Sequence, residues 1–161
     1  MKNIQSNISL NSIFFIFIIL WVLSSFDFSI PKQIPQTEIN TVKQLTYNIK
    51  LHDNKLYDDF TVKNMASLNI IPYSFNTYID KDNPDKSYIE TPNGIKIYPV
   101  SKNDIMSLTL KDFSKSICYQ YAEGLKNESF YSSIIINDVS VNRNISNVNC
   151  HILGNVIQLK L

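Results

Sequence analysis

Hydrophobic residues follow three successive rhythms along this chain. From Ile13 to Leu23 the stretch IFFIFIILWVL contains no polar residue at all. Between Thr37 and Leu51, Ile39, Val42, Leu45 and Ile49 recur at spacings of three and four. That period predicts a helix with a single apolar stripe, seated on something flat and apolar. Thr37 is placed to cap it, with Glu38 in the first turn. From Ser87 onward the period becomes two. SYIETPNGIKIYPVS predicts a hairpin turning at Asn93-Gly94, IMSLTL a strand facing inward through Met106, Leu108 and Leu110, and FYSSIIINDVSV a hairpin turning at Asn137-Asp138. GNVIQLKL predicts a last strand with Ile157, Leu159 and Leu161 on one face.

Breaks and short elements fall between these rhythms. Pro31 and Pro35 interrupt any helix continuing from the apolar run, because proline removes a donor and clashes with the preceding turn. HDNKLYDD and NTYIDKDNPDKS read as loops. FTVKNMASLNIIP reads as a short helix capped by Thr61, with Val62, Met65 and Leu68 inward and Pro72 ending the segment. Within LTLKDFSKSICYQYAEGL a strand leads into an amphipathic helix whose apolar side is Phe113, Ile117, Cys118, Tyr121, Ala122 and Leu125, with Asp112 available as its cap. A long helix, several antiparallel strands and one short helix among them predict an α+β layer, with the spine helix packed on one face of an antiparallel sheet. The organisation expected is a leader and hydrophobic membrane segment over residues 1–30 and a globular head over residues 31–161.

The apolar run also decides the compartment. Alone it is too short to span a bilayer, which takes about 20 apolar residues. Continued through SSFDFSI to Ile30 it carries Asp27 as its one charge. It reads as a secretory h-region with a cleavage site before Ser25, or as a retained anchor. A buried core helix is the bland alternative, and its position behind a Lys2-bearing leader argues against that. Both export readings carry the head out of the cytoplasm. The chain has two cysteines, Cys118 and Cys150, and in an exported protein two cysteines are most simply one disulfide. Such a bond would tie the short helix to the last strand. Two buried free thiols are the alternative.

Composition removes several classes of function. A net charge of +1 with a single arginine, Arg143, argues against nucleic acid as the main partner. Three glycines exclude a glycine-rich phosphate loop. The two histidines are His52, in a polar loop, and His151, beside Cys150. As neighbours on a strand, His151 and Cys150 would point to opposite faces and could not act as a thiol–base pair. No HExxH, CxxC or GxSxG occurs. Asp58 and Asp59 read as a solvated acidic pair, since calcium needs six or more oxygens. Asn127 and Asn144 head glycosylation triplets, which carry force only in a host that glycosylates there. No catalytic residue, cofactor or metal site is expected, and the nine tyrosines are expected to be mainly half-buried sheet residues.

Two segments carry a family resemblance. SLTLKDFSKSICYQYAEGL resembles the part of type IVb pilins in which an alternating strand leads into a short helix bearing the first cysteine. NVNCHILGNVIQLKL is similar to their close, where the second cysteine precedes the final strand. TVKQLTYNIK and LYDDFTVKNMASLNIIP resemble the spine helix and the short helix after it. The resemblance implies a subunit of a type IV pilus or related secretion filament, with other pilin subunits, the pilus assembly machinery and the inner membrane as partners. It gives Ile13, Phe14, Phe15, Ile16, Phe17, Ile18, Ile19, Leu20, Trp21, Val22 and Leu23 the role of membrane anchor before assembly and filament core afterwards. It implies a head displayed in the periplasm or on an extracellular pilus. Aligned on the family's start, the leader would end at Asn7 and the mature chain begin at Ile8. Asn7 then stands where pilin leaders carry glycine, and Ser12 where mature pilins carry glutamate. The missing carboxylate, which would pair with a neighbour's amino terminus, suits a minor or initiating subunit, or a degenerate copy. A secreted or periplasmic binding module, freed of its signal peptide, is the alternative function.

Overall fold

The computed structural model describes residues 36–56, 59–102, 105–141 and 148–161. The Asn7–Ile8 cleavage site, the Ile13–Leu23 segment, the Pro31/Pro35 break and the boundary between residues 30 and 31 all lie outside the described residues.

The three-and-four spacing forms helix α1, Gln36–Leu51, and Ile39, Val42, Leu45 and Ile49 are all buried. Thr37 is inside this helix rather than at its cap, and its carbonyl accepts from the Thr41 hydroxyl at 2.8 Å. The expected HDNKLYDD loop contains a helical turn, α2, Asp53–Leu56. Leu56 is fully buried, so one apolar side chain pins to the core a stretch whose polarity suggested a free loop. Helix α3, Val62–Ser67, begins as expected at Thr61, whose hydroxyl accepts from the Asn64 backbone N–H. Val62 and Met65 are buried, and Leu68 forms the C-cap and is partly buried.

Seven strands then form a single antiparallel sheet. They are β1, Asn76–Tyr78; β2, Tyr88–Glu90; β3, Lys96–Lys102; β4, Ile105–Phe113; β5, Ser133–Ile136; β6, Val139–Val141; and β7, Asn155–Lys160. Their spatial order is β1-β2-β3-β4-β7-β5-β6. The last strand is therefore inserted between β4 and β5, and the chain's final residues are held on both edges. Strand β1 falls within what the sequence suggested was a surface loop. All three of its residues are exposed, so it leaves no alternation to read, and it exists by pairing with β2.

The two hairpin signals act as turns. Between β2 and β3, Gly94 has φ 80°, and the Thr91 N–H donates to the Ile95 carbonyl at 2.9 Å. Between β5 and β6, Asn137 and Asp138 have φ 47° and 67°, the paired positive values of a type I′ turn. Asp112 does not cap the cysteine helix. It occupies a β-bulge at the end of β4 with φ 64°, and Ser114 caps helix α4, Lys115–Leu125, by accepting from the Ile117 N–H at 3.5 Å.

One face of the sheet carries Ile89, Ile97, Leu108, Leu110, Ile134, Ile136, Ile157 and Leu159, and these join the buried sides of α1 and α4 in a single core. Each fully buried leucine or isoleucine there contributes about 2 kcal/mol relative to exposure.

Candidate assembly surface and the cysteine-closed region

Helix α1 is the element on which the head is seated, and its side chains show how firmly. Beside the stripe lies Glu38, buried although charged. The Tyr121 hydroxyl donates to Glu38 Oε1 at 2.8 Å, and the Asn93 side-chain amide donates to Oε2. One carboxylate therefore joins the start of α1 to α4 and to the β2–β3 turn. Burial pushes the Tyr121 phenol well above the usual tyrosine range, and the neighbouring Glu38 charge and hydrogen bond push it the same way. A buried carboxylate is tolerated when donors satisfy its oxygens.

The remaining contacts of α1 continue along its length. Gly124 of α4 approaches Ile39 so closely that a Cβ there would lie 2.7 Å from the Ile39 Cγ2. Thr46 and Tyr131 share a hydroxyl–hydroxyl bond of 3.1 Å. Burial raises the Tyr131 phenol to about 12, with the Thr46 bond opposing. Lys43 pairs with Glu128 at 2.7 Å, and Tyr47 meets the Phe130 ring edge-on at 5.9 Å. The segment after α4 is thus clamped along α1 by a charge pair, a ring pair and a hydroxyl pair.

At the other end of α4, Cys118 and Cys150 form a disulfide with a Cα–Cα distance of 6.0 Å across a sequence separation of 32. In the chain-entropy model a loop of that size adds about 3–4 kcal/mol. Asparagines organise the segment that the disulfide holds. The fully buried Asn155 donates to the carbonyls of Phe113 and His151, both at 2.8 Å, and its Oδ1 accepts from the His151 N–H at 2.7 Å. Asn137 donates to Asn155 Oδ1 at 3.0 Å and to the Asn149 carbonyl at 2.6 Å, and accepts from the Val156 N–H at 2.9 Å. The Tyr119 hydroxyl reaches the Val148 carbonyl at 3.4 Å. Out of this lock Ile152 and Leu153 project, 79% and 76% exposed.

His151 lies in this irregular segment and not on a strand, so the opposite-faces reason for setting it aside does not apply. It is exposed, and Cys150 is committed to the disulfide. His52 Nδ1 donates to the Asn48 carbonyl at 2.9 Å. Among the described residues no group of three or more histidines, cysteines and carboxylates is placed to hold a metal. None of their helices is long and apolar enough to cross a membrane.

Sequence reasoning missed Glu38 and Asn155 as organisers, although both carry a signal. Glu38 stands four residues before Val42, on the side of the stripe. Asn155 stands two before Ile157, on the inward face of β7.

No family model and no curated protein matches the sequence. Among solved structures, the chain is similar to the crystal structure of a type IVb pilin from Salmonella typhi, with a TM-score of 0.53 and 17% identity. The match covers 76% of this chain and 97% of that one. At that identity the likeness speaks to fold, and the fold of this chain is pilin-like.

Proposed function

We propose that the chain is a structural subunit of a type IV pilus-like filament, and specifically a minor subunit. One observation carries this reading: nearly the whole of a type IVb pilin chain superposes on it. The arrangement suits assembly rather than catalysis. Its organised parts are a clamped spine helix and a disulfide-locked segment that presents apolar side chains to solvent. In this reading Ile13–Leu23 anchors the subunit in the inner membrane with its head in the periplasm, then packs among neighbouring subunits in an extracellular pilus. Asn7 and Ser12, in place of the usual glycine and glutamate, are the grounds for a minor role.

Shearing filaments from the native cell surface and identifying their components by mass spectrometry tests the proposal. The chain is expected in the sheared fraction, well below the amount of the principal subunit. Recovery only as a soluble exported protein, with none in filaments, would overturn it.

A further inference from the structure

The sheet face opposite the core shared with α1 and α4 carries a row of tyrosines. On it Tyr78, Tyr88 and Tyr98 stand on adjacent strands. Tyr78 and Tyr88 stack at 5.0 Å with 22° between their planes, and Tyr88 and Tyr98 follow at 5.6 Å and 49°. The ammonium of Lys96 lies 5.0 Å from the centre of the Tyr88 ring, and that of Lys111 lies 5.0 Å from that of Tyr98. The Tyr88 and Tyr98 rings are thus each in contact with a neighbouring ring and a lysine, while Tyr78, at the edge of the row, is 51% exposed. What the ladder offers to solvent is phenol edges and ammonium groups, which are hydrogen-bond donors.

The charge on this face is one-sided. Strand alternation directs Lys96 and Lys102 of β3, Lys111 of β4 and Lys160 of β7 outward, and Glu90 of β2 is the one carboxylate among the outward positions of the regular strands. The whole chain carries only +1. Lys96 stands directly across from Lys111 on one side and from Glu90 on the other; the like-charge pairing costs stability, which Glu90 and the ring contacts offset. At the far end of the face, Lys102 and Lys160 flank a depression of about 260 Å³ whose wall includes Ser107 and Gln158. The two lysine pairs lie at opposite ends of β3, about 20 Å apart at the rise of a strand.

We propose that this face binds an acidic polysaccharide, a polymer bearing repeated carboxylates among hydroxyl groups. A small acid cannot bridge two lysine pairs at that separation, whereas a polymer can. Carboxylates would accept from the lysines, and sugar hydroxyls would meet the tyrosine edges and the part-buried Gln158 amide, which Ser107 holds in place. Single-stranded nucleic acid binds by stacking successive bases on open aromatic faces, and of the three rings Tyr88 and Tyr98 already meet a neighbouring ring and a lysine. A peptide adding to a sheet uses an edge and not a face. This inference stands apart from the filament reading and would survive its failure.

The test is binding of the full-length chain in detergent to polygalacturonate, beside duplex DNA, polyglutamate and neutral dextran. Polygalacturonate is expected to bind best, with affinity falling as salt rises. Lys96→Gln with Lys111→Gln should weaken it about tenfold or more through loss of charge-assisted contacts, while the arginine pair at those positions keeps binding. Lys102→Gln with Lys160→Gln should weaken it independently, so a folding failure in one variant leaves the other to decide. Wild-type affinity in both glutamine variants would overturn the proposal. So would tighter binding to DNA or polyglutamate than to polygalacturonate, or equal binding to dextran.

Discussion

Glu38 sits among apolar neighbours and spends both carboxylate oxygens on donors from distant parts of the chain, Tyr121 and Asn93. Tyr121→Phe removes one donor and leaves the buried oxygen short of a partner, so stability should fall by about 1–3 kcal/mol. An unchanged denaturant midpoint would contradict the role given to this contact. Tyrosine burial also sets an alkaline limit. The Tyr131 phenol is raised from its ordinary 10 to about 12 in the folded chain, and Tyr121 is raised further for the same first cause, burial. The folded state thus holds these protons more tightly than the unfolded state. Both contributions are complete below pH 10, the ordinary tyrosine value; that of Tyr131 is lost as pH rises from there through about 12, and that of Tyr121 only at still higher pH. Ultraviolet titration should show the Tyr131 phenol ionising near pH 12 and the Tyr121 phenol only with unfolding; ionisation of either near pH 10 in a folded chain would refute that. At this scale the sequence was partly legible. The periods that reveal Ile39 and Ile157 also place Glu38 and Asn155 on inward faces, but a period cannot supply partners more than eighty residues away, as for Glu38 and Tyr121. Asp112 was misread because a one-residue bulge passes the cap to Ser114.

The elements that were legible are those whose burial is periodic. Helix α1 and β7 each bury one side, the central strand buries Leu108 and Leu110 on the core side and Ser107 and Thr109 on the other, and the Asn93-Gly94 and Asn137-Asp138 turns carry the positive φ that such dipeptides favour. Strand β1 and helix α2 were illegible for opposite reasons. The first buries none of its residues and is held by pairing; the second is one turn fastened through Leu56. Packing between elements is also hidden from a one-dimensional pattern, and Gly124 shows it. Exposed Gly-to-Ala changes within helices gain about 1 kcal/mol. Here the added methyl would meet the β-branched Ile39, whose stiff side chain cannot turn away. Gly124→Ala should therefore lower the melting temperature by separating α4 from α1, an overpacking cost of about 1–3 kcal/mol. A higher melting temperature would show that the two helices have room to spare.

On the scale of the whole molecule, an antiparallel sheet on a spine helix, with its last strand inserted beside β4 and a disulfide closing the region before it, is the fold the cysteine-bearing segments implied. Replacing both Cys118 and Cys150 with alanine should cost about 3–4 kcal/mol, as loss of a loop closure of this size requires. Equal stability of the bridged and bridge-free chains would mean that the asparagine lock holds the region unaided. The filament role rests on the pilin-like fold together with an N-terminus whose reading is sequence alone. The most direct measurement is therefore the amino-terminal sequence of the protein recovered from its native cell. The filament account predicts a chain beginning at Ile8. A chain beginning near Ser25 would contradict it, because the segment proposed to anchor and build the filament would then have been removed.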